Sequence, residues 1–409
     1  MSEIKVALLG FGTVGKGVYQ VVQTHQKRLE AILHKKVRIV GILVQDETKQ
    51  RDIQADILLS SNIEDILQIS DLDIVMEAIV GVEPGYTYIR KAMERGLHVI
   101  TANKELLAHK GYELKRKAQQ HGVRLEYEAA VAGGIPIIRT LKHVLRVNET
   151  IKVEAILNGT SNFILSTMRE NQAAFVDVLA VAQQKGYAEA DPSNDIDGWD
   201  AFYKLMIISE LLFGHQPAWD KVEVQGIRNI QYEHLLAAKS LDARMKHVAT
   251  IEISGGKIHA SVEPILIPKS HALYAVEGVN NAINVTGDVV GELSFQGPGA
   301  GALPTASAML EDLISIYELK EVSSIPTAQT FVETNQLQEE EWLLVGSLDP
   351  VHQLHRLDQW EIPYGLSTIT CTRVLANNEL IKSIVKQCDQ LEAFKMKHNF
   401  VSINQKVLA

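Results

Sequence analysis

Lys5-Val6-Ala7-Leu8-Leu9-Gly10-Phe11-Gly12-Thr13-Val14-Gly15 decides the fold. An apolar run leads into G-x-G-x-x-G, and a long helical pattern follows from Val14 to about Leu33. Strand, glycine turn and helix in that order are what a dinucleotide fingerprint requires. Gly10 permits the tight turn, Gly12 lets the backbone approach a pyrophosphate, and Gly15 lets helix and strand pack closely. The helix N-terminus then offers unpaired N–H groups and a partial positive charge to phosphate.

Outward from this turn the chain keeps alternating. Val37–Val44, Asp73–Met76, Leu97–Ile100 and Val123–Tyr127 are further apolar runs, and helical stretches at Tyr86–Glu94 and Glu105–Gln120 separate the last three. Buried runs alternating with helices predict βαβ units and a parallel sheet. After the second run, Asp46 suits a ribose 2′-OH, whereas Lys49 and Arg51 suit a 2′-phosphate, so NAD and NADP both stay open.

The middle of the chain differs. Pro136–Leu145 reads as helix and Lys152–Leu157 as a strand ending at Asn158-Gly159. Helical patterns follow at Asn162–Arg169, Phe175–Lys185 and Gly198–Phe213, then strand-like runs at Lys246–Ile253, Lys257–Ile267, Ala282–Val285 and Val289–Phe295. Helices followed by strands predict an α+β domain. Gly297-Pro298-Gly299-Ala300-Gly301 breaks the pattern before a helix from about Thr305 to Tyr317. Gln336–Glu341 reads as a polar linker. Beyond it lies a small α+β module with a strand-like Ser367–Leu375 and a helix-like Glu379–Leu391.

The 409 residues carry 50 acidic and 40 basic side chains, a formal charge of −10. That balance argues against a nucleic-acid surface, which needs a basic face. No apolar run approaches the ~20 residues of a membrane span. Two cysteines, Cys371 and Cys388, make neither a disulfide framework nor a thiolate metal site, and the N-terminus lacks a signal-peptide pattern. A cytoplasmic, soluble protein is expected.

Two lysines stand out. Lys104, in Thr101-Ala102-Asn103-Lys104, follows an apolar run and so sits at a strand's carboxyl end, where open α/β sheets bind ligands. A cation in a first helical turn opposes the helix dipole, which favours a functional reading over a surface one. Lys204 follows an acidic stretch in which Glu189, Asp191, Asp195, Asp197 and Asp200 lie within twelve residues. Asp200 and Lys204 share a helix face at i, i+4, and their helix is apolar enough to be buried. A buried lysine beside a carboxylate suits proton transfer, and Glu189 with its neighbours suits a substrate ammonium. A surface ion pair with an acidic capping loop is the plainer alternative.

Together these residues resemble the homoserine dehydrogenase family. The resemblance rests on Gly10–Gly15, Thr101–Lys104, Glu128–Pro136, Asn158–Asn162, Gly186–Lys204 and Gly299–Gly301, and the stretch from Gly186 to Lys204 is its most specific part. It implies NAD(P)-dependent interconversion of L-homoserine and L-aspartate 4-semialdehyde, on the route to threonine, methionine and isoleucine. By resemblance Lys204 is the general acid/base, Lys104 the second lysine at the junction of cofactor and substrate, and Asp200 part of the catalytic group. Glu189, Asp195, Asp200 and Thr160 are implied around the substrate. Gly10, Phe11, Gly12, Thr13, Val14, Gly15, Lys104, Gly186 and Gly301 are implied at NADP or NAD. A sodium ion is implied near Glu128 and the carbonyls of Val131, Gly133 and Ile135.

The resemblance also implies a domain plan. A Rossmann-like nucleotide domain covers 1–135, completed by a helix over 302–320. An α+β substrate and dimerisation domain covers 136–301, and a C-terminal module covers 340–409, giving a homodimer or higher homo-oligomer. There are departures. Gln45 stands where the family often has an NADP-favouring arginine, and Val80-Gly81 where a Gly-Gly pair is common. Many bacterial members end in an effector-binding ACT domain with a glycine-containing turn after its first strand. Leu348-Asp349-Pro350-Val351-His352 does not supply that turn, so a degenerate ACT-like or purely structural module is expected. The rival readings are another amino-acid semialdehyde reductase and a catalytically silent nucleotide or amino-acid sensor.

Overall fold

A computed structural model describes residues 3–254, 257–318, 339–347, 354–388 and 390–397. The chain begins β1 (Glu3–Leu9), α1 (Thr13–Thr24), α2 (Gln26–Leu33), β2 (Lys36–Leu43), β3 (Leu58–Ser60), α3 (Ile63–Leu67) and β4 (Ile74–Glu77). It continues α4 (Gly85–Glu94), β5 (His98–Thr101), α5 (Lys104–His121), β6 (Leu125–Glu126) and α6 (Ile137–Arg139), the last running into a π-helical turn over Thr140–Val144. Next come β7 (Thr150–Ile156), α7 (Gly159–Asn171), α8 (Phe175–Gln184), α9 (Ser193–Ile196), α10 (Trp199–Phe213) and β8 (Glu223–Val224). Then follow α11 (Tyr232–Ser240), β9 (Ala243–Ser254), β10 (Lys257–Pro268), β11 (Asn280–Gly287), β12 (Gly291–Pro298) and α12 (Ala302–Glu318). The last elements are β13 (Glu340–Val345), β14 (His355–Tyr364), β15 (Ser367–Ala376), α13 (Asn378–Gln387) and β16 (Glu392–Met396).

The chain divides into two compact units. The first takes residues up to Glu149, then 203–217, and the segment from Phe295 through α12. Its six-stranded sheet has the order β3-β2-β1-β4-β5-β6, with parallel pairing throughout. The order reverses at β1, and open α/β sheets bind ligands beyond the carboxyl end of the strands at such a switch point, which is where the glycine turn lies. Strands buried on both faces need near-continuous apolar sequence, and β4 is fully buried over Ile-Val-Met-Glu. On one face α1 and α12 pack together around Val18, Val22, Ala306, Met309 and Leu313. The backbones come so close that a Cβ on Gly17 would lie 2.4 Å from the Ala302 carbonyl oxygen.

The second unit holds a mixed ten-stranded sheet, β12-β11-β7-β9-β10-β16-β13-β15-β14, with β8 paired to β10 off that path. Long β9 and β10 form an antiparallel hairpin from Ala243↔Pro268 to Ser254↔Lys257. The C-terminal strands extend the same sheet: β16 pairs in parallel with β10 through Ile265↔Lys395 and Leu266↔Met396. One face, with Leu343, Val345, Cys371 and Phe394, shares a core with Leu235 and Ala238 of α11. The other, with Trp342, Leu344 and Val374, carries Ile381 and Ile384 of α13.

Some elements differ from their sequence reading. The helix predicted from Val14 to Leu33 breaks at His25 into α1 and α2. The run Val123–Tyr127 yields a strand of only Leu125–Glu126, because the chain turns into a 3-10 helix at Glu128. Strands β3, β8, β13, β14 and β16 went unread. In β14 only alternate residues such as Trp360 and Ile362 are half-buried, and Pro363 sits on this edge strand, so the apolar signal is weak. The linker read at Gln336–Glu341 ends in strand, since β13 begins at Glu340, while 336–338 and Leu348–His352 lie outside the described residues.

Candidate active site

The glycine turn is built as its letters require. Gly10 has φ +98°, and a Cβ there would lie 2.9 Å from the Ala78 carbonyl oxygen. Its N–H donates to the Leu43 carbonyl at 3.0 Å, and the Ala78 N–H to the Leu9 carbonyl at 2.9 Å, which ties the turn to β2 and β4. A Cβ on Gly15 would lie 2.2 Å from the Gly10 carbonyl oxygen. Gly12 caps α1 with no side chain, and a Cβ there would meet no protein atom within 4 Å. Phe11, Thr13 and Val14 complete the turn. Gly301, with φ +115°, precedes α12 in the same unit, while Gly186, φ +72°, lies in the second unit after α8.

At the end of β2 the Asp46 carboxylate accepts from the Thr48 N–H at 2.9 Å and its hydroxyl at 2.6 Å, and these bonds hold it below the usual carboxylate range. Arg51 donates to the carbonyls of Asp46 and Lys49, at 2.8 Å each. One loop thus presents a carboxylate and a fixed guanidinium together.

Lys104 is the first residue of α5, placed there by Asn103, whose side-chain oxygen accepts from the Leu106 N–H at 3.0 Å. Asn103 Nδ2 donates to the Gly81 carbonyl at 2.8 Å and to Glu77 at 3.3 Å, and the Asn103 N–H donates to the Thr101 hydroxyl at 3.0 Å. Glu77, fully buried at the end of β4, also accepts from the Thr101 hydroxyl and from the Ile79 N–H at 2.7 Å. Burial pushes its carboxyl up to about 7, because every donor named here is neutral. Glu77 is a residue that the sequence reading missed: it closes a visible apolar run, but its burial left no mark in the sequence.

Lys204 is the sixth residue of α10 and is buried, as is Asp200 one turn earlier. Beside Lys204, the Tyr203 ring packs 5.7 Å from the His109 ring of α5. Lys115 of α5 reaches Glu210 of α10 at 2.7 Å. Both lysines therefore stand on one packed helix pair, with Lys104 about 7.5 Å of helix axis from His109.

In the second unit Thr160 Oγ1 donates to the Tyr187 carbonyl at 2.7 Å, so the start of α7 meets the loop carrying Gly186 and Glu189. Glu189 is exposed, and Gln183 Nε2 holds its carbonyl at 3.1 Å. Asp195 lies in α9 and Asp200 in the first turn of α10, and Asn158 bridges the two carboxylates. Asn158 is the second residue that the sequence reading gave no role at the site, although an Asn-Gly at a strand end is a helix-cap signal.

Around Glu128 the backbone folds tightly, with Ala132 at φ +56° and Gly133 at φ +54°. Both Glu128 carboxylate oxygens are engaged, by the N–H groups of Ile138 at 2.8 Å and Arg139 at 2.7 Å. Its own N–H donates to Asp312 of α12 at 2.8 Å. Burial, with Glu126 and Glu128 nearby, raises the Asp312 carboxyl well above its ordinary value. The Gly134 N–H donates to the Pro298 carbonyl at 3.1 Å, so Glu128–Ile135 packs against the Gly299–Gly301 segment. Among the described residues no group of three or more His, Cys, Asp or Glu is placed to hold a metal ion.

Comparison with known proteins places this geometry. A family model described as the homoserine dehydrogenase NAD binding domain matches residues 10–128, and one described as homoserine dehydrogenase matches 136–314. The chain belongs to the homoserine dehydrogenase family. It is 40% identical over 319 residues to homoserine dehydrogenase of Bacillus subtilis, covering 78% of this chain and 74% of that one. A homoserine dehydrogenase crystal structure from Thiobacillus denitrificans superposes with TM-score 0.88 at 31% identity, over 97% of this chain and 99% of that one. A hyperthermophilic archaeal homoserine dehydrogenase in complex with NADPH gives 0.65 at 26%, over 77% and 97%. The activity is therefore NAD(P)-dependent interconversion of homoserine and aspartate semialdehyde, a step of amino-acid biosynthesis. Among the described residues no helix is long and apolar enough to cross a membrane.

Proposed function

We propose that Lys204 is the acid/base of this reaction and that Lys104 and Asp200 complete the catalytic group. In the reducing direction a bound nicotinamide would supply hydride to the aldehyde carbon, and the Lys204 ammonium stabilises the negative charge that builds on the carbonyl oxygen and gives it a proton. The observation that carries this reading is the burial of Lys204 one turn from a buried Asp200. Glu189, Asp195, Asp200 and Thr160 grip the substrate, whose ammonium calls for carboxylates. The glycine turn, with Phe11, Thr13, Val14, Lys104, Gly186 and Gly301, holds NAD or NADP, which supplies the hydride chemistry when bound. At the ribose, Asp46 favours NAD, while Lys49 and Arg51 favour NADP.

An all-oxygen set from Glu128, Val131, Gly133 and Ile135 suits a hard cation such as sodium. Because the Glu128 carboxylate already caps two N–H groups, its part there is mainly charge. Among the described residues the C-terminal strands run β16-β13-β15-β14 with one helix, α13, which follows β15. That supports a degenerate ACT-like module with no threonine response. We place the enzyme in the cytoplasm as a homodimer or higher homo-oligomer, and a monomer mass by light scattering would count against the assembly.

The test is homoserine oxidation with NAD and NADP in parallel, on wild type and Lys204→Ala. The variant should lose about 10²-fold or more in kcat while cofactor affinity stays level. Unchanged turnover removes Lys204 from the mechanism. Threonine added to the same assay should inhibit little, and cooperative inhibition would overturn the reading of the terminal module.

A further inference from the structure

Asn158 sits where β7 hands over to α7. Its backbone is extended, φ −121° and ψ 115°, and its side chain is buried at 5% exposure. The amide orientation is fixed by its partners. Oδ1 accepts from the Ser161 N–H at 2.7 Å, which caps α7, so Nδ2 must face the other way. There it donates to Asp195 Oδ1 at 2.7 Å and to Asp200 Oδ2 at 2.9 Å. One planar NH₂ group spends its two hydrogens on two different carboxylates.

Two carboxylate oxygens bound to one nitrogen at these distances are held about 5 Å apart, given the roughly 120° between the two N–H directions. Two negative groups at that separation repel. A primary ammonium, which hydrogen-bonds carboxylate oxygens at about 2.8 Å, matches such a pair in both charge and spacing. The surroundings lock the arrangement. Ser161 Oγ donates to the Asp195 carbonyl at 2.7 Å, so the first turn of α7 grips α9 by backbone as well as side chain. Behind the loop, the Ile227 N–H donates to the Ile196 carbonyl at 2.7 Å, and a Cβ on Gly226 would lie 2.3 Å from that oxygen. Gly198, at φ +92°, rests against the His247 ring. Burial lowers that imidazole to about 4, and its Nε2 pairs with the Gln225 carbonyl at 3.0 Å. That ring is thus uncharged at neutral pH.

We infer that Asn158 is a positioning residue that sets the separation of Asp195 and Asp200 and thereby the affinity of the enzyme for its zwitterionic substrate. The inference rests on the reading above that these two aspartates surround the substrate. Asn158 itself touches the carboxylates and acts through them.

The test uses the full chain with Asn158→Ser, Asp195→Asn and Asp200→Asn, measuring KM and kcat for homoserine, cofactor Kd and Tm. Serine remains a good N-cap, so Asn158→Ser removes the two amide donors while α7 stays capped. The expected result is a rise of about tenfold or more in homoserine KM with cofactor Kd within about twofold, beside the fall in Tm that losing two donors to carboxylates brings. A merely structural role would lower Tm and leave the KM of the folded enzyme unchanged, or would shift cofactor Kd as well. If the aspartate variants raise KM and Asn158→Ser does not, the inference fails and the substrate-site reading stands. If none of the three moves KM, the reading itself fails. Should the serine variant not be recovered folded, Asn158→Gly, another cap that helices accept, is read by the same split.

Discussion

The turn from β1 to α1 and the turn from β7 to α7 make the same move and finish it differently. Each hands a buried strand to a helix N-terminus, whose first N–H groups lack partners within the helix. In α7 the Asn158 side chain fills that need, and in α5 Asn103 does the same. In α1 the cap is Gly12, which brings no side chain, and no side-chain cap bond forms. A turn that caps itself spends its backbone donors internally and gains a rigid side chain, as Asn158 and Asn103 show by reaching past the cap to Asp195, Asp200, Glu77 and Gly81. The bare turn leaves its donors open to an anion. On the reading proposed above, the first design orients carboxylates and the second is the one suited to phosphate.

The largest expected effect comes from Gly15→Ala. A Cβ there would lie 2.2 Å from the Gly10 carbonyl oxygen, a backbone atom of the turn itself. Either the helix or the turn must move, at a cost of about 3 kcal/mol. Thermal melting should show a clear fall in Tm, and cofactor titration a loss of binding. A variant that melts with wild type would mean that the bare turn is not closely packed, and the contrast with α7 would lose its basis.

Next is Glu77→Gln, which probes the capped turn at α5. The Glu77 carboxyl is raised by burial to about 7. The unfolded chain releases this proton near the ordinary glutamate value while the folded chain keeps it. The group therefore stabilises fully below pH ~4.5, and that contribution is lost as pH rises toward ~7. Glutamine is neutral throughout: its oxygen takes the place of Oε1 beside Ile79 and Asn103, and its NH₂ faces the Thr101 hydroxyl. Urea unfolding between pH 5 and 8 should show the variant losing less stability than wild type, by on the order of 2 kcal/mol. Parallel slopes would mean that Glu77 is ionised in the fold. Glu277 shows the opposite case. Burial raises its carboxyl too, but Arg169 at 2.9 and 3.0 Å and Lys246 at 3.1 Å outweigh this and hold it near about 2.

Much of this contrast was legible in the sequence. The glycine spacing declared the bare turn, because only a missing side chain leaves such a signature. The parallel sheet was legible because its strands are buried on both faces and read as apolar runs. The acidic stretch before Lys204 was legible as a cluster. Its organising residue was not, because Asn158 works through contacts with residues 37 and 42 positions away. Glu77 was hidden for a related reason: a carboxylate closing a strand reads as solvated unless its burial by α5 is known. The C-terminal strands were partly missed because they extend a sheet begun nearly two hundred residues earlier, at β7, and β14, an edge strand, carries polar residues on its outer side.

The smallest effect on stability, and the sharpest separation of the two designs, belongs to Gly12→Ser. Gly12 has φ −81° and ψ −153°, a conformation open to any residue, and a Cβ there meets no protein atom within 4 Å. Serine would give α1 the cap that α7 already has, gaining a few tenths of a kcal/mol. Its hydroxyl would also take an N–H that the pyrophosphate needs, and its Cβ would occupy the line of closest approach. The expected variant melts at or slightly above wild type and binds cofactor at least about tenfold more weakly, since charge-assisted hydrogen bonds to an anion carry that much. Isothermal titration with NADP and NAD beside a melting curve reads both quantities on one sample. Tighter or unchanged cofactor binding would show that the N–H groups of α1 are not the phosphate donors, and the bare turn would then need another explanation than anion binding.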